Sequence, residues 1–386
     1  MKNRYFYPLT KENLSESDCL EATKVIKSKK ITMGKITKKL EFKFKKIFNQ
    51  NCLMVNSGSS ANLLIFQLLI NPKVKMLKQN DEVLIPAICW STSLWPIIQS
   101  NLKPIFVDIN KETLNICLQD LKKKITKKTK ALMLVHALGN CTNMDELVSY
   151  CKKKKILIIE DTCEALGSKY KNKYLGTYGD FSSFSMYYSH HITSGEGGFI
   201  SSQKKKYLDL IRVLRSHGWE KEISNKNNWK FINSGFNLRP TDINASIGLS
   251  QLKRIKTILK TRRYNYNFVT KSLKESENFN KSFKIIENID KNKNIYWFGI
   301  PIQLKTRIIK KSDILKKLNK LGVETRPVIS GNFANQPAVR LYKIKSHGLM
   351  NSNFIEKSTF FIGIHNLKIS KKEVKKLCNI FENVSV

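Results

Sequence analysis

The residues of this chain best suited to chemistry lie in the run 185–198, SMYYSHHITSGEGG, where two histidines precede a glycine-rich turn. An imidazole accepts and releases protons near neutral pH, so His190 predicts an acid–base role. A lysine amine at the same place could form a lasting imine with a carbonyl compound, whereas an imidazole cannot. The sequence therefore predicts proton transfer at this turn, without covalent attachment of a carbonyl ligand.

A second candidate site lies in residues 56–62, NSGSSAN, which join a predicted strand to an apolar helix. Backbone N–H groups at such a turn, together with the positive end of the helix dipole, are suited to a phosphate. A serine that only caps the helix gives the same pattern. On this motif alone, phosphate binding and simple capping stay equal alternatives.

Two further side chains suit a flat, nitrogen-containing ring. Asp161 follows the most apolar predicted strand, and a buried carboxylate there needs a partner such as a protonated pyridine nitrogen. Trp90 follows another predicted strand and can stack on a ring. The alternatives are a turn or capping aspartate and an ordinary core tryptophan, and the sequence leaves both open.

The elements that must position these residues alternate short apolar strands with helices, which predicts an α/β domain with a largely parallel sheet. Several strands are continuously apolar, as expected where helices cover both faces. Ligands of open α/β sheets bind beyond the carboxyl ends of the strands, so we expect the polar residues that follow each strand to share one site. The predicted strands are residues 52–55, 82–85, 104–107, 131–135 and 156–159.

The chain as a whole is predicted to have three parts. Residues 1–31 form an N-terminal arm with a helix at 15–28, residues 32–255 form the large α/β domain, and residues 256–386 form a small C-terminal domain. A long helix would connect the last two parts. The elements predicted for this connection and for the small domain are a helix at 241–261, a strand at 295–302, and helices at 312–320 and 371–381.

The formal net charge of this 386-residue chain is +39. The excess is nearly all lysine, in dispersed runs without interleaved aromatic residues, which favours solvated surface lysine over a nucleic-acid partner. No stretch approaches the roughly 18 apolar residues of a membrane span, and the basic N-terminus lacks the apolar core of a signal peptide. We expect a cytoplasmic protein that attracts anionic substrates.

The eight cysteines show no Cys-x-x-Cys or Cys-x-Cys spacing, which predicts reduced thiols. Cys163 with His190 and His191 is the nearest approach to a zinc cluster. The surroundings of these three residues are better explained by another function, so we expect no metal.

Together and in this order, the motifs resemble the DegT/DnrJ/EryC1/StrS family of sugar aminotransferases, which act on nucleotide-linked keto-sugars with pyridoxal phosphate (PLP). The resemblance covers nearly the whole chain. It implies the aspartate aminotransferase-like α/β fold, PLP fold type I, with a large, mostly parallel sheet domain and a small C-terminal α/β domain. It rests on residues 32–34, 56–62, 86–92, 106–108, 136–140, 160–167, 176–180, 185–198, 235–242 and 326–327.

The resemblance implies a role for each matching side chain. Asp161 would pair with the pyridine nitrogen and keep it protonated, Trp90 would stack on the ring, and Glu164 would lie close to the ring. Asn237 would reach the cofactor phosphate of the neighbouring subunit, which implies a homodimer with shared active sites. The phosphate of the chain's own cofactor would be bound by Ser59, Ser60 and Ser185.

His190 departs from the aminotransferase pattern, because it stands where those enzymes have their cofactor-binding lysine. With His191 it resembles the branch of 3-dehydratases that act on 4-keto-6-deoxy nucleotide sugars in 3,6-dideoxysugar biosynthesis, for lipopolysaccharide O-antigen or other surface glycans. That branch uses the cofactor as pyridoxamine phosphate (PMP). The resemblance implies sugar contacts for Ser189, His217 and Arg326.

In this branch His190 would take a proton from the aminomethyl carbon of PMP and help the 3-hydroxyl group to leave as water, with glutamate as the amino donor that regenerates PMP. Some relatives carry an iron–sulfur cluster, but no cysteine occurs in residues 204–237, so no cluster is expected. The alternatives are a nucleotide-sugar aminotransferase that works with histidine, and a catalytically inactive binding protein with the same fold.

Overall fold

The computed structural model describes residues 5–224, 229–305 and 310–385; the first four residues of the predicted N-terminal arm lie outside the described residues. The α-helices are α1 (Glu16–Lys27), α2 (Lys35–Phe48), α3 (Gly58–Leu69), α4 (Ser91–Gln99), α5 (Leu118–Lys124), α6 (Met144–Lys153), α7 (Lys205–Arg215), α8 (Asp242–Lys253), α9 (Ile255–Lys274), α10 (Glu277–Ser282), α11 (Lys311–Lys320), α12 (Pro337–Leu341), α13 (Met350–Ser358) and α14 (Lys371–Val384). The β-strands are β1 (Asn51–Val55), β2 (Glu82–Pro86), β3 (Lys103–Val107), β4 (Thr129–Val135), β5 (Leu157–Asp161), β6 (Lys169–Tyr170), β7 (Lys173–Tyr174), β8 (Phe181–Ser185), β9 (Gly198–Ser202), β10 (Phe283–Ile285), β11 (Lys293–Asn294), β12 (Gly299–Leu304), β13 (Thr325–Pro327) and β14 (Thr359–Gly363).

A seven-stranded sheet carries the candidate site, with the strand order β1-β9-β8-β5-β4-β2-β3. The strands from β8 to β3 run parallel, and β9 runs antiparallel to both of its neighbours. The register pairs Val135 of β4 with Asp161 of β5, and Asp161 with Ser183 of β8. The carboxyl ends of these three strands therefore meet at one edge, and the predicted α/β class with a mostly parallel sheet is confirmed.

The central strands are continuously apolar because both of their faces are covered. In β2, Val83 and Ile85 pack into one core cluster, whereas Leu84 between them packs into another. In β4, Met133 packs into the first of these clusters and the adjacent Leu132 packs into the second. Successive side chains of a strand point to opposite faces, so a strand with helices on both sides needs apolar residues at every position.

Helix α3 begins close to the ends of β5 and β8. The hydroxyl of Ser57 caps it and accepts a hydrogen bond from the backbone N–H of Ser60 at 3.0 Å. A Cβ atom at Gly58 would lie 2.8 Å from Cys163 Sγ and 3.0 Å from Ser185 Cβ. Glycine is therefore needed for this close approach, which brings the N-terminus of α3 next to the end of β8.

The C-terminal part forms an antiparallel sheet with the strand order β10-β12-β14-β13. The N-terminal arm belongs to the core of this part, because Tyr7 is buried, pairs with Val323, and donates from its hydroxyl to the carbonyl of Gly363 at 3.0 Å. The division of the chain at residues 31 and 255 stays a prediction. Among the described residues, no helix is both long and apolar enough to span a bilayer.

The single long helix predicted over residues 241–261 is wrong, since α8 and α9 are separate helices. Arg254 between them leaves the helical conformation, with φ −103° and ψ 8°. Its N–H donates to the carbonyl of Gln251 at 2.9 Å, which tightens the last turn, and its guanidinium pairs with the buried Asp18 of α1 at 2.7 Å. A contact distant in sequence therefore fixes the break.

The strand predicted over residues 295–302 is displaced, since the observed strand is β12, Gly299–Leu304. Residues 296–298 instead direct their backbone carbonyls to side chains of other elements. Tyr296 accepts from His191, and Trp297 and Phe298 accept from Arg262. These contacts replace strand pairing, because a carbonyl satisfied by a side chain needs no ladder partner.

Candidate active site

Asp161 lies at the carboxyl end of β5 with only 6% of its surface exposed. Its Oδ2 accepts hydrogen bonds from the hydroxyl of Ser93 at 2.7 Å and from Asn62 Nδ2 at 3.0 Å, and its Oδ1 accepts from the N–H of Cys163 at 3.2 Å. Such donors stabilise an ionised carboxylate and fix its orientation. The structure thus presents an oriented acid at the edge where the strands end.

The N-terminus of α3 forms the second part of the site. Ser60 follows the cap and is almost fully buried, and the hydroxyl of Ser59 lies 2.8 Å from that of Thr92 in the first turn of α4. Ser185, the last residue of β8, lies next to Gly58 across the same turn. The predicted serines are therefore brought together at a helix N-terminus, the arrangement that binds phosphate groups.

Trp90 is the residue before α4 and is 56% exposed, although the preceding Ile88 and Cys89 are fully buried. The alternative that Trp90 is an ordinary core residue is therefore excluded. Thr92, which contacts Ser59, and Ser93, which contacts Asp161, lie two and three positions after Trp90. An exposed indole beside the acid and the serine turn is available to stack on a flat ring.

His190 lies in the turn after β8, where its N–H donates to the carbonyl of Tyr187 at 3.0 Å. Its ring faces Phe298 with the ring centroids 5.1 Å apart, and its Nδ1 is buried with no hydrogen-bond partner among the described residues. Burial and the positive charge of Arg262 outweigh the attraction of Asp161 and lower the pKa of His190 to about 4. The imidazole is therefore neutral near pH 7 and able to accept a proton.

The neighbouring His191 has a different environment. It is fully buried, and its Nε2 lies 2.9 Å from the carbonyl oxygen of Tyr296. Burial, with the charge of Arg262, lowers its pKa well below the usual value. The neutral ring donates this hydrogen bond and joins the turn to the C-terminal part of the chain, so His191 anchors the turn that carries His190.

Glu164 lies one turn after Asp161, and its Oε2 accepts from the N–H of Leu138 at 2.8 Å. Burial, reinforced by the negative charge of Asp161, raises the pKa of its carboxyl group to about 8. The group is therefore mostly protonated at neutral pH and can donate a hydrogen bond to a ligand oxygen. The two acids, three residues apart, differ in their hydrogen-bond donors, because Asp161 receives side-chain donors and Glu164 accepts from a backbone N–H.

The predicted sugar-binding residues do not all converge on this centre. Ser189 is next to His190 in the turn. His217 and Asn237 are exposed and lie on two antiparallel segments, residues 216–219 and 229–237, here called the hairpin. His217 Nε2 is 3.3 Å from Arg239 Nη2, and Asn237 Oδ1 accepts from Arg239 Nε at 3.1 Å. Arg326 lies on β13, where it is exposed and pairs with Glu324 at 3.2 Å. No hydrogen bond or ion pair among the described residues connects Arg326 with His190.

This hairpin lies beside the serine turn of the same chain, because the N–H of Asn56 donates to the carbonyl of Leu238 at 3.2 Å. The reach of Asn237 to a neighbouring subunit stays a prediction. The backbone of His217 has a positive φ of 61°, which is uncommon outside glycine and asparagine. Its conformation is fixed by the N–H bond to the carbonyl of Phe236 at 2.8 Å.

A buried hydrogen-bonded pair behind the site was not predicted from the sequence. His136 Nε2 lies 2.8 Å from Glu160 Oε2, and both side chains are inaccessible to solvent. Glu160 also accepts the N–H groups of Gly176 at 2.8 Å, Tyr178 at 2.7 Å and Gly179 at 2.6 Å. Burial alone would raise the pKa of Glu160, but the hydrogen bonds from His136 and these amides lower it. The pair fixes the loop after β7 beneath the site.

Several direct contacts of the site also escaped prediction. Asn62 lies within the serine motif, so its sequence position was a usable signal. Thr92 lies within residues 86–92, which resemble the family, but no role was assigned to it. Ser93 and Phe298 carried no signal, because their roles depend on elements that only the fold brings together. Within the described residues, no group of three His, Cys, Asp or Glu side chains is placed to hold a metal ion.

The fold is the PLP fold type I, since the structure superposes on solved dehydratases with bound PLP, and the site lies at the carboxyl edge of its mostly parallel sheet. The chain belongs to the DegT/DnrJ/EryC1/StrS aminotransferase family, whose profile matches residues 12–382. The predicted family is confirmed.

Among individual relatives, the chain is 33% identical to a GDP-4-keto-6-deoxy-D-mannose 3-dehydratase of Yersinia pseudotuberculosis, over 97% of this chain and 98% of the relative. It is 32% identical to the enzyme of the same name from Escherichia coli O55:H7, over 94% and 96% of the two chains. The crystal structure of a GDP-4-keto-6-deoxymannose-3-dehydratase with a trapped PLP–glutamate geminal diamine superposes with a TM-score of 0.90 at 31% identity. It covers 97% of this chain and 100% of that one.

Proposed function

We propose that this protein is a PLP/PMP-dependent 3-dehydratase of a nucleotide-linked 4-keto-6-deoxy sugar, acting in dideoxysugar biosynthesis. The observation that carries the proposal is His190, a neutral and partly buried imidazole beside the acid and the serine turn. An amine at that place would bind the cofactor covalently. The relatives named as GDP-4-keto-6-deoxy-D-mannose 3-dehydratases support the reaction, and they make a GDP-linked sugar the first substrate to test.

The described side chains fit the cofactor. Asp161, held by Ser93 and Asn62, is suited to a protonated pyridine nitrogen, and the exposed indole of Trp90 is suited to its ring. The protonated carboxyl group of Glu164 is suited to a ring oxygen. The phosphate would be held at the N-terminus of α3 by Ser59, Ser60 and Ser185.

When bound, the cofactor in its amine form activates the 4-keto sugar by withdrawing electrons through its protonated ring. Asp161 supports that withdrawal by keeping the ring nitrogen charged. His190 accepts a proton at its imidazole, because its low pKa leaves the ring neutral. The same group then returns the proton to the departing 3-hydroxyl, which turns a poor leaving group into water. One imidazole serves both steps because it can hold and release a single proton.

Glutamate is the proposed amino donor that restores the amine form of the cofactor, which the trapped PLP–glutamate structure of the relative supports. A cofactor that is not covalently bound to the chain depends on the serine turn and on Asp161 for its retention. The high positive charge of the chain favours anionic substrates, including a nucleotide sugar and glutamate.

We further propose a cytoplasmic homodimer with shared active sites. Support comes from the hairpin that carries His217 and Asn237, whose polar side chains are exposed beside the serine turn. The same hairpin exposes Trp229 and Phe231, and large apolar side chains exposed together are typical of an interface. Sedimentation equilibrium tests the dimer, and a monomer at all concentrations would contradict it.

The function is tested by incubating the protein with GDP-4-keto-6-deoxymannose, PLP and glutamate. We expect a product that has lost one oxygen and gained no nitrogen, as measured by mass spectrometry of the nucleotide sugar. His190→Asn is the matched control and should bind cofactor without turnover. A product that retains nitrogen would instead indicate an aminotransferase. A protein that binds neither PLP nor PMP would indicate a binding protein without this activity.

A further inference from the structure

Arg262 on α9 is a buried cation, only 3% exposed, and no carboxylate pairs with it among the described residues. Its guanidinium donates to the backbone carbonyls of Trp297 at 3.2 Å, Phe298 at 2.9 Å and Ile364 at 2.6 Å, and to Asn366 Oδ1 at 3.1 Å. Burial lowers its pKa to about 9, so the group still carries its charge at neutral pH. Because isolated buried charges are costly, these neutral oxygens are what stabilises the two terminal nitrogens of the guanidinium, Nη1 and Nη2.

These contacts reach the catalytic turn from two directions. Phe298, held by Arg262, faces the ring of His190 with the centroids 5.1 Å apart. Asn366, also held by Arg262, donates from Nδ2 to the carbonyl of His191 at 3.3 Å. Arg262 therefore joins three segments that pack behind His190: α9, residues 297–298 and the chain after β14.

Charged groups on separate elements act on the imidazole of His190. Asp161 on β5 favours its protonated form, whereas Arg262 on α9 opposes it, and the adjacent His191 is neutral. Arg262 also opposes protonation of His365, and the hydroxyl of Tyr7 is the titratable group that acts on Arg262 itself. The electrostatic field at the His190 ring thus comes mainly from two buried charged groups, the carboxylate of Asp161 and the guanidinium of Arg262.

We propose that Arg262 is a positioning residue for His190. Its guanidinium holds the segments that pack behind the imidazole, and its buried charge adds to the effect of burial in favouring the neutral imidazole that accepts a proton. This inference rests on the proposed function, in which His190 must take a proton. A side chain that only filled space between α9 and the C-terminal sheet would need no charge, since apolar residues pack there without a desolvation cost.

The direct test is the ring pKa of His190, measured in the full-length protein by NMR of labelled histidine and assigned by the signal lost in His190→Asn. In Arg262→Met we expect this pKa to rise by on the order of one pH unit, because a like charge has been removed. In Arg262→Lys we expect the pKa to stay near its original value, since the charge remains. A lysine amine cannot make the several hydrogen bonds of the guanidinium, so the position of His190 is less well fixed. We therefore expect kcat to fall about 10-fold, with an unchanged KM for the sugar. Lys260→Met removes an exposed cation from the same helix and should change neither quantity.

A folded Arg262→Met protein with an unchanged His190 pKa overturns the proposal. Because this readout needs no turnover, it is separate from a failure of the proposed function, in which the native protein would not deoxygenate the sugar. If circular dichroism shows that Arg262→Met does not fold, the proposal is tested instead by kcat and KM of Arg262→Lys and Asn366→Ala. Reduced kcat at constant KM in both variants supports the role, and native kcat in both overturns it.

Discussion

Ser93 donates a hydrogen bond of 2.7 Å to Asp161, so the first turn of α4 fixes the acid at the end of β5. Asn62 of α3 donates to the same oxygen at 3.0 Å. The two helices whose N-termini border the site thus also orient its carboxylate. A carboxylate has about four lone-pair sites, so it can still accept a donor from a ligand.

Replacing Asp161 tests the proposed support of the pyridine ring. Asp161→Asn keeps the shape but removes the charge that holds the ring nitrogen protonated, so we expect deoxygenation to fall at least about 100-fold, roughly 3 kcal/mol of activation free energy. Ser93→Ala should raise the activation free energy by only about 1 kcal/mol, because the Asp161 carboxylate keeps its charge and two of its hydrogen-bond donors. Single-turnover rates measure both effects. Equal losses in the two variants would contradict the assigned role.

Substitution of His190 by lysine should change how the cofactor is retained. In His190→Lys, desolvation lowers the amine pKa and leaves a nucleophile at the place of the imidazole. We expect borohydride treatment with PLP to add one pyridoxyl mass to this variant, and we expect its deoxygenation to be lost. The native protein and His190→Asn should gain no mass. A reducible adduct in the native chain would show that another residue binds the cofactor covalently.

The serine turn offers a pair of matched substitutions. Ser185→Ala should raise the Kd for the cofactor about 10-fold, roughly 1.4 kcal/mol. It should lower the free energy of unfolding by less than about 0.5 kcal/mol, because the hydroxyl accepts only the N–H of the exposed Tyr187, which water can replace. Ser57→Ala should instead destabilise the fold by about 1 kcal/mol, because the hydroxyl caps α3. Absorbance titration and urea unfolding separate the two effects. If Ser185→Ala binds the cofactor normally, the phosphate is held elsewhere.

Much of this site could be predicted from the sequence because its residues follow strands. Asp161 comes at the end of β5 and Ser185 ends β8, and a parallel sheet brings such positions to one edge. The motif around Gly58 was likewise local, since a strand, a turn and a helix N-terminus lie within a few residues. The type of residue at position 190 then indicated the chemistry.

What could not be predicted depends on contacts between distant elements. Arg262 sits in a helix whose periodicity predicts only a buried face, and its acceptors are backbone carbonyls that leave no signal in residue types. Residues 296–298 have the apolar pattern of a strand, but their carbonyls are taken by side chains. The break at Arg254 depends on Asp18, more than two hundred positions earlier. Propensity is a local property, and tertiary contacts override it.

The buried pair of His136 and Glu160 should be important for stability. His136→Leu removes one partner and leaves a buried carboxylate with only backbone donors, so we expect a loss of about 3–5 kcal/mol in the free energy of unfolding. Lys122→Ala breaks a half-exposed pair with Glu146 and should cost less than about 1 kcal/mol. Urea unfolding of the cofactor-free protein measures both. A small effect of His136→Leu would mean that the three amides satisfy Glu160 alone.

The contribution of the buried histidines to stability should fall as the pH is lowered from about 6.5 towards 4. The pKa of His190 is about 4 in the folded chain against an ordinary 6.5, and burial lowers those of His191 and His365 as well. At these histidines the unfolded chain binds more protons in this window, so their contribution to the free energy of unfolding rises with pH across it. Glu164 acts in the opposite sense, because its raised pKa of about 8 makes the folded chain hold that proton, so the test compares two variants that share Glu164. At pH 5 the contribution lost through His190 is about 2 kcal/mol. Denaturant unfolding at pH 7.5 and pH 5 should show that His190→Asn loses about 2 kcal/mol less than the native protein, whereas equal losses would show that His190 is not neutral in the folded state.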